Sequence, residues 1–465
     1  MNRRTSPLSR RTAPPPRRTA PPPRRTAPPS RRTSPPSRRT APLTALVTVA
    51  AVSALGMAAT LVAVPWFVLH ATGSGTWTGL VAAAETAGLL CSAVLAGPVA
   101  DRLPARAVSA GADLLTASAL ALIPLLHSLD VLALPVLAVL AFAVGAARGP
   151  AETARQLLLP DALERASVTV EAGTGAIEAA RRTGLMAGAP LAGLLISAVG
   201  PVRTLCTDVC AALLCCALVV TLVPSRPRPA AGRTAPGGAA ASYLADLRAG
   251  WAYLGVDRPV RAVAAVLLVT NALDGALNGV LYPAYGSRVL HSSALFGAMV
   301  TAIGAGALLG AALYGRIGRR LPRRSLFVGA FLLVGAVRCG TLAVGPPAWA
   351  LLSLLALTGL GSGVLGPLMM SVAYERVPEQ VRGRVFGMLT ACALAATPLG
   401  MLGAGPVLDA WGVTAALVAA GVVYLGVTVT PLVFPVWREL DTVSSPAAPS
   451  DDRNARKKGV CRPSL

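Results

Sequence analysis

Charge and histidine are what this chain has least of. Asp, Glu, Lys and Arg together make up 13% of its 465 residues, and its three histidines, His70, His127 and His291, stand far apart. No Ser/His/Asp set and no cluster with metal-ligand spacing occurs in a polar segment, so the chain reads as a non-enzyme that carries no metal and no cofactor. The Gly-x-x-x-x-Gly-Lys-Ser/Thr loop that cradles nucleotide phosphates is missing, which leaves ATP-driven work without support. Cysteine says little about redox chemistry: Cys91, Cys206, Cys210, Cys215, Cys216, Cys339 and Cys392 fall in apolar stretches, where a thiol behaves as a small hydrophobe, and Cys461 lies alone near the end. Cys206 and Cys210 share a helical face but have no His or carboxylate company.

Apolar residues are what the chain has in excess. A mean hydropathy of +0.62 with 54% hydrophobic residues is more than one water-soluble core can hide, so lipid is the solvent for most of the chain. A crossing needs about 20 residues at 1.5 Å per residue. Runs of that kind predict an all-α membrane protein with twelve transmembrane helices, near 44–69, 76–100, 105–127, 131–150, 172–199, 203–223, 260–287, 294–315, 324–344, 348–374, 385–409 and 412–436. Arg102 and Arg106, then Arg316, Arg319, Arg320, Arg323 and Arg324, then Arg376, Arg382 and Arg384 fall in loops of one side. The other side offers mainly Arg203 and Arg288. By the positive-inside rule both termini face the cytoplasm. Of the 42 basic residues only Lys457 and Lys458 are Lys, which points to GC-rich coding and a bacterial plasma (inner) membrane.

The formal charge of +22 is local and does not call for nucleic acid. Residues 1–43 hold twelve Arg and no acid, in a seven-residue repeat of Arg-Arg-Thr and Pro-rich filler. Such a tail is expected to stay disordered. It either meets anionic lipid headgroups or is a dispensable extension. The domain reading is therefore a tail over 1–43, a six-helix half over 44–223, a Pro- and Gly-rich cytoplasmic linker over 224–258, a second half over 259–437, and a polar tail over 438–465. Within the linker, residues 243–251 read as a short amphipathic helix ending at Trp251.

Between the second and third runs stands Gly97-Pro98-Val99-Ala100-Asp101-Arg102-Leu103-Pro104-Ala105-Arg106, and a degraded copy, Ala311-Ala312-Leu313-Tyr314-Gly315-Arg316-Ile317-Gly318-Arg319-Arg320, follows about 214 residues later. The pattern Gly-x-x-x-Asp-Arg-x-x-x-Arg resembles the signature loop of the major facilitator superfamily. Residues 150–161 and 377–387 resemble the two inner connections of its enterobactin and macrolide exporter branch. The resemblance implies the major facilitator fold, two pseudo-symmetric six-helix halves that rock around a central site. It also implies a cytoplasmic latch or gate made by Gly97, Asp101, Arg102 and Arg106, with a weaker counterpart at Gly315, Arg316 and Arg320. The bland alternative is a basic loop that only fixes topology. In the fifth run Gly184, Gly188, Pro190 and Gly193 resemble the Gly/Pro motif of drug/proton antiporters, or serve plain helix packing.

Ionisable groups inside apolar runs cost about 2.5–3.5 kcal/mol on insertion scales, so each invites an explanation. Glu85 is the deepest acid of the first half, with Gly88 and Ser92 along its face. Asn271, Asp274 and Asn278 fall at i, i+3 and i+7 and form one polar stripe. These four are the candidate proton or substrate site, Glu85 and Asp274 being either proton carriers or structural acids, with Asp274 slightly favoured. Asp113, Asp208 and Arg338 read as interhelical ties, and Glu178, Arg181 and Arg182 as a local ion-pair group. The expected function is proton-coupled efflux of a small amphipathic compound, such as a drug, siderophore or secondary metabolite. Its partners are that substrate, protons and membrane lipids, with no nucleic acid, and it acts as a monomer. A proton-coupled uptake symporter and a non-transporting sensor on the same scaffold are the alternatives.

Overall fold

The computed structural model describes residues 36–224, 258–318, 322–376 and 379–433. The amphipathic stretch 243–251, most of the linker, residues 1–35 of the first tail and the whole of the second lie outside these residues, as do Arg319 and Arg320. Every regular element described is helical. In the first half these are α1 (Pro36–Thr72), α2 (Gly75–Arg102), α3 (Ala105–Ser128), α4 (Leu134–Ala166), α5 (Val170–Val199) and α6 (Pro201–Leu222). In the second half α7 runs through Arg258–Ala276, a π-helical turn at Leu277–Leu281, and Tyr282–Arg288. Then come α8 (Ser293–Ile317), α9 (Arg323–Leu332, a π turn at Leu333–Val337, and Arg338–Val344) and α10 (Ala348–Arg376). The last stretch, Glu379–Val433, breaks at Gly412, whose φ of 79° only glycine adopts freely, and its two arms are α11 and α12.

Among the described residues ten helical stretches are long and apolar enough to cross a membrane, and one of them, Gly387–Thr430, contains the break at Gly412. The first six runs read from the sequence match helices within a few residues, with two differences. Helix α1 begins at Pro36, so the end of the expected tail is helical. Helix α4 does not stop near 150 but continues to Ala166, with Pro150 and Pro160 inside it. The stretch expected as an inner connection, 150–161, is therefore helix. In a membrane neighbouring helices and local adjustment compensate the amide a proline lacks, which removes the usual stop signal.

Packing repeats between the halves. Helix α1 lies against α5 and α6, α2 against α4, and α3 against α4 and α6; in the second half α7 lies against both arms of Glu379–Val433, and α8 against α10. Across the halves the seams are α2 on α11 and α5 on α8. With no hydrophobic drive between helices in lipid, small residues set how close the backbones come. A Cβ added at Gly188 would lie 2.6 Å from Leu55 O and 2.7 Å from Ala58 Cβ on α1, while nothing stands within 4 Å of one at Gly315. Gly188→Leu is therefore expected to cost more than 2 kcal/mol and to lower thermal stability in detergent by several degrees, and Gly315→Ala to leave it within about a degree. Equal melting points for the two variants would contradict this packing.

Candidate central site

The polar residues of the first half converge because α1, α2, α4 and α6 bring one side chain each to the same depth. Arg148 on α4 donates through Nη1 to Glu85 Oε1 on α2 and through Nη2 to Asp208 Oδ2 on α6 at 3.0 Å. Thr60 Oγ1 on α1 donates to the same Asp208 oxygen at 2.5 Å. Two carboxylates thus share one guanidinium, whose fork suits two acceptors. One turn-pair further along α4, Arg155 Nη2 pairs with Asp113 on α3 and its Nη1 donates to Ser53 Oγ on α1 at 3.2 Å.

The second half holds a different cluster. Tyr424 OH on α12 donates to Asp274 Oδ1 on α7 at 2.8 Å. Arg338, buried on α9 just after its π turn, donates to neutral oxygens: Ser362 Oγ at 2.9 Å, Thr358 Oγ1 at 3.2 Å and Tyr282 OH at 3.4 Å. Both π turns of this half sit beside the cluster, at Leu277–Leu281 and Leu333–Val337, which accords with the frequent use of such bulges at functional positions.

Between the halves lies a cavity of about 380 Å³. Its walls are mostly apolar and include Met57, Met186, Met401 and Phe296, and its polar residues are Glu85, Arg148, Thr86, Thr301, Asn278 and Tyr282. Large, flexible thioethers and few fixed polar groups make a wall that adapts to shape. Helices α5 and α8 draw apart along it. A Cβ at Gly193 would lie 2.5 Å from Ser293 O and one at Gly297 2.5 Å from Ala189 O, yet one at Gly304 meets only Met186 Cγ at 4.0 Å. Near the tight end Trp66 stacks on Phe296 with ring centroids 5.9 Å apart. The cavity is thus closed on the side of the α1–α2 turn and widens away from it.

The structure places the residues singled out from sequence as follows. Glu85 and Asn278 line the cavity; Asn271 and Asp274 do not. Asn271 Nδ2 donates to Leu267 O and Asn278 Nδ2 to Asp274 O, both at 2.8 Å along their own helix. Gly184 and Gly188 seat α5 on α1, while Gly193 meets α8 across the halves, with Pro190 inside α5. Gly97 falls within α2, and the side chains of Asp101, Arg102 and Arg320 lie outside the described residues. Arg106 donates to Val220 O at the last turn of α6, within its own half, and Gly315 and Arg316 are exposed. Asp113, Asp208 and Arg338 tie helices together, and Glu178 binds Arg181 and Arg182 at 2.9 and 2.7 Å. Sequence reading misses Arg148 and Arg155, because the fourth apolar run ends near 150 and 150–161 reads as a connection. The spacing of two Arg along one continued α4, at i and i+7, was the available signal.

Residues 35–458 match the family described as transmembrane secretion effector. The chain is 34% identical over 407 residues to the multidrug efflux pump Tap of Mycolicibacterium fortuitum, covering 86% of this chain and 98% of that protein. It is 33% identical over 393 residues to the pump of the same name from Mycobacterium tuberculosis, covering 84% and 92%. Among solved structures the nucleoside transporter NupG superposes with a TM-score of 0.69 at 13% identity, covering 84% of this chain and 98% of that one. A bacterial homologue of the lysosomal transporter Spinster, described as inward-facing and unoccupied, superposes at 0.62 with 13% identity, covering 88% and 98%.

Proposed function

The chain belongs to the transmembrane secretion effector family, a multi-pass membrane branch of the major facilitator transporters, and from that premise we propose that it exports a small amphipathic compound across the bacterial plasma membrane in exchange for protons. The observation that carries the reading is Glu85 standing in the wall of the cavity between the halves, on an Arg148 that it shares with Asp208. With both acids ionised the three groups carry one net negative charge. A proton on Glu85 leaves Arg148 to Asp208 and makes the wall neutral. An amphipathic cargo and a proton then compete for one cavity, and by linkage each weakens the other to the same degree. Exchange follows because the cavity turns over with one or the other aboard.

The relatives' name as multidrug efflux pumps favours export over uptake. In this reading the halves, 44–223 and 259–437, form twelve crossings joined by a cytoplasmic linker, both termini face the cytoplasm, and the monomer works alone among membrane lipids. Glu85 is the preferred proton carrier. Asn278 contributes a polar contact from the second half, and Asp274 serves as a structural acid of the second half. The loop residues Gly97, Asp101, Arg102 and Arg106, with Gly315, Arg316 and Arg320, are kept as the cytoplasmic latch that the resemblance suggests.

The reading is tested by the accumulation of ethidium and other fluorescent amphipathic dyes in cells with and without the chain. Export predicts accumulation lowered about ten-fold or more, with the difference erased by a protonophore. Accumulation above that of control cells would indicate uptake, and no change with any dye would favour a sensor.

A further inference from the structure

The face of the molecule at the α1–α2 turn is fastened by a side chain that nothing in the proposed exchange at the central cavity uses. Asp409, at the end of α11, accepts from Gly75 N at 2.6 Å, Thr76 N at 2.9 Å, Thr76 Oγ1 at 2.7 Å and Ser74 Oγ at 2.9 Å. All four donors belong to the other half. Gly75 and Thr76 open α2, and the first amides of a helix have no partner within it, so an acceptor there is needed, and a negative one is favoured by the helix dipole. Most helices draw that acceptor from the residue just ahead. Here Ser74 Oγ accepts only from Trp77 N, at 3.4 Å, and the acceptor for the Gly75 and Thr76 amides is a carboxylate from about 334 residues away.

Two more contacts close the same seam. Arg288 on α7 donates to Gly73 O at 2.6 Å and stands 3.8 Å from Asp409. A Cβ at Gly405 would lie 2.6 Å from Gly75 O, so the backbones of α11 and α2 meet without side chains between them. Separating the halves on this face would leave the Gly75 and Thr76 amides of α2 without Asp409, with only Ser74 Oγ on Trp77 N remaining as a cap, and would take four donors from Asp409 at once.

We propose that Asp409 is the positioning residue of an outer latch: its carboxylate caps α2 across the halves, holds the cavity closed to the outside, and must let go before cargo leaves. The proposal rests on the export reading above, with the two halves rocking so that the central cavity opens to one side of the membrane at a time. It makes α2 a lever with a fastening at this end, opposite the loop in which sequence resemblance puts the cytoplasmic latch. Loss of the charge shifts the resting population toward the outward-open state. One charge-assisted hydrogen bond is worth about a factor of ten or more in that equilibrium.

The test reads conformation rather than transport, so it holds whatever the cargo or coupling ion. A reporter, Asn278→Cys, is placed in the cavity wall of the full-length chain in cells, and a membrane-impermeant maleimide is added outside. Labelling is scored above that of the same chain with Asn278. Asp409→Asn, which keeps the shape and removes the charge, is expected to raise outside labelling about ten-fold, Asp409→Glu to fall back toward the parent, and Thr76→Val, which removes one donor of four, to raise it about three-fold. Labelling at the parental rate in both Asp409→Asn and Thr76→Val overturns the latch. Should Asp409→Asn fail to reach the membrane, Thr76→Val decides alone: a raised rate supports the latch and a parental one overturns it. A raised rate together with failed dye export by the unsubstituted parent chain would leave the latch standing and sink the export reading.

Discussion

Arg148→Met is expected to abolish dye export and to destabilise the protein by about 3–5 kcal/mol, the cost of breaking a buried pair by removing one partner. Glu85 and Asp208 would then face each other across the first half with no cation between them, and Thr60 alone could donate to Asp208. Their mutual repulsion adds to the penalty of two unpaired charges away from water. Arg148→Lys should recover part of the stability and little transport, because an ammonium is a point charge and cannot hold both acids in fork geometry. Adding Glu85→Gln to Arg148→Met should restore about half of the lost stability without restoring export. Thermal unfolding in detergent measures the first effect and dye efflux the second. An Arg148→Met protein as stable as its parent would mean the three groups do not act as one network.

The second large effect concerns coupling. Glu85→Gln keeps the shape of the side chain and its place in the cavity wall but fixes the neutral state. The wall no longer alternates between charged and neutral, so proton binding and cargo binding lose their linkage. Uphill export should fall at least ten-fold, while exchange of labelled for unlabelled dye down its own gradient persists. Asp274→Asn, by contrast, keeps an acceptor for Tyr424 OH, and its residue lies outside the cavity wall. It should cost stability and leave coupling in place.

These expectations differ from the reading the sequence alone supports, and the difference has physical causes. The helices were legible because lipid demands long apolar runs, and the turns between them showed as Gly, Pro and Arg. The glycines of α5 were legible as packing positions for the same reason. The pairing of charges was not. Glu85 appears in sequence with only Gly88 and Ser92 for company, and its partner Arg148 comes 63 residues later, on a helix that Pro150 was expected to end. Asp274 looked like the better carrier because Asn271 and Asn278 extend its stripe. Yet both amides bond along their own helix, and Tyr424, 150 residues on, turns the acid inward to the second half. Asp409 carries no signal in the sequence, since its donors belong to a turn more than 330 residues earlier. A sequence shows which groups are costly in a membrane. Which of them meet is settled by the fold.

The most direct measurement is the movement of protons on addition of dye to vesicles that hold the purified protein, with a pH-sensitive probe inside, for the parent, Glu85→Gln and Asp274→Asn. A dye-induced proton flux, opposite in direction to the dye, is expected in the parent and in Asp274→Asn, and its loss in Glu85→Gln while dye still binds. A Glu85→Gln protein that moves protons with dye as the parent does would contradict the central claim, and loss of that flux in Asp274→Asn alone would place the carrier in the second half.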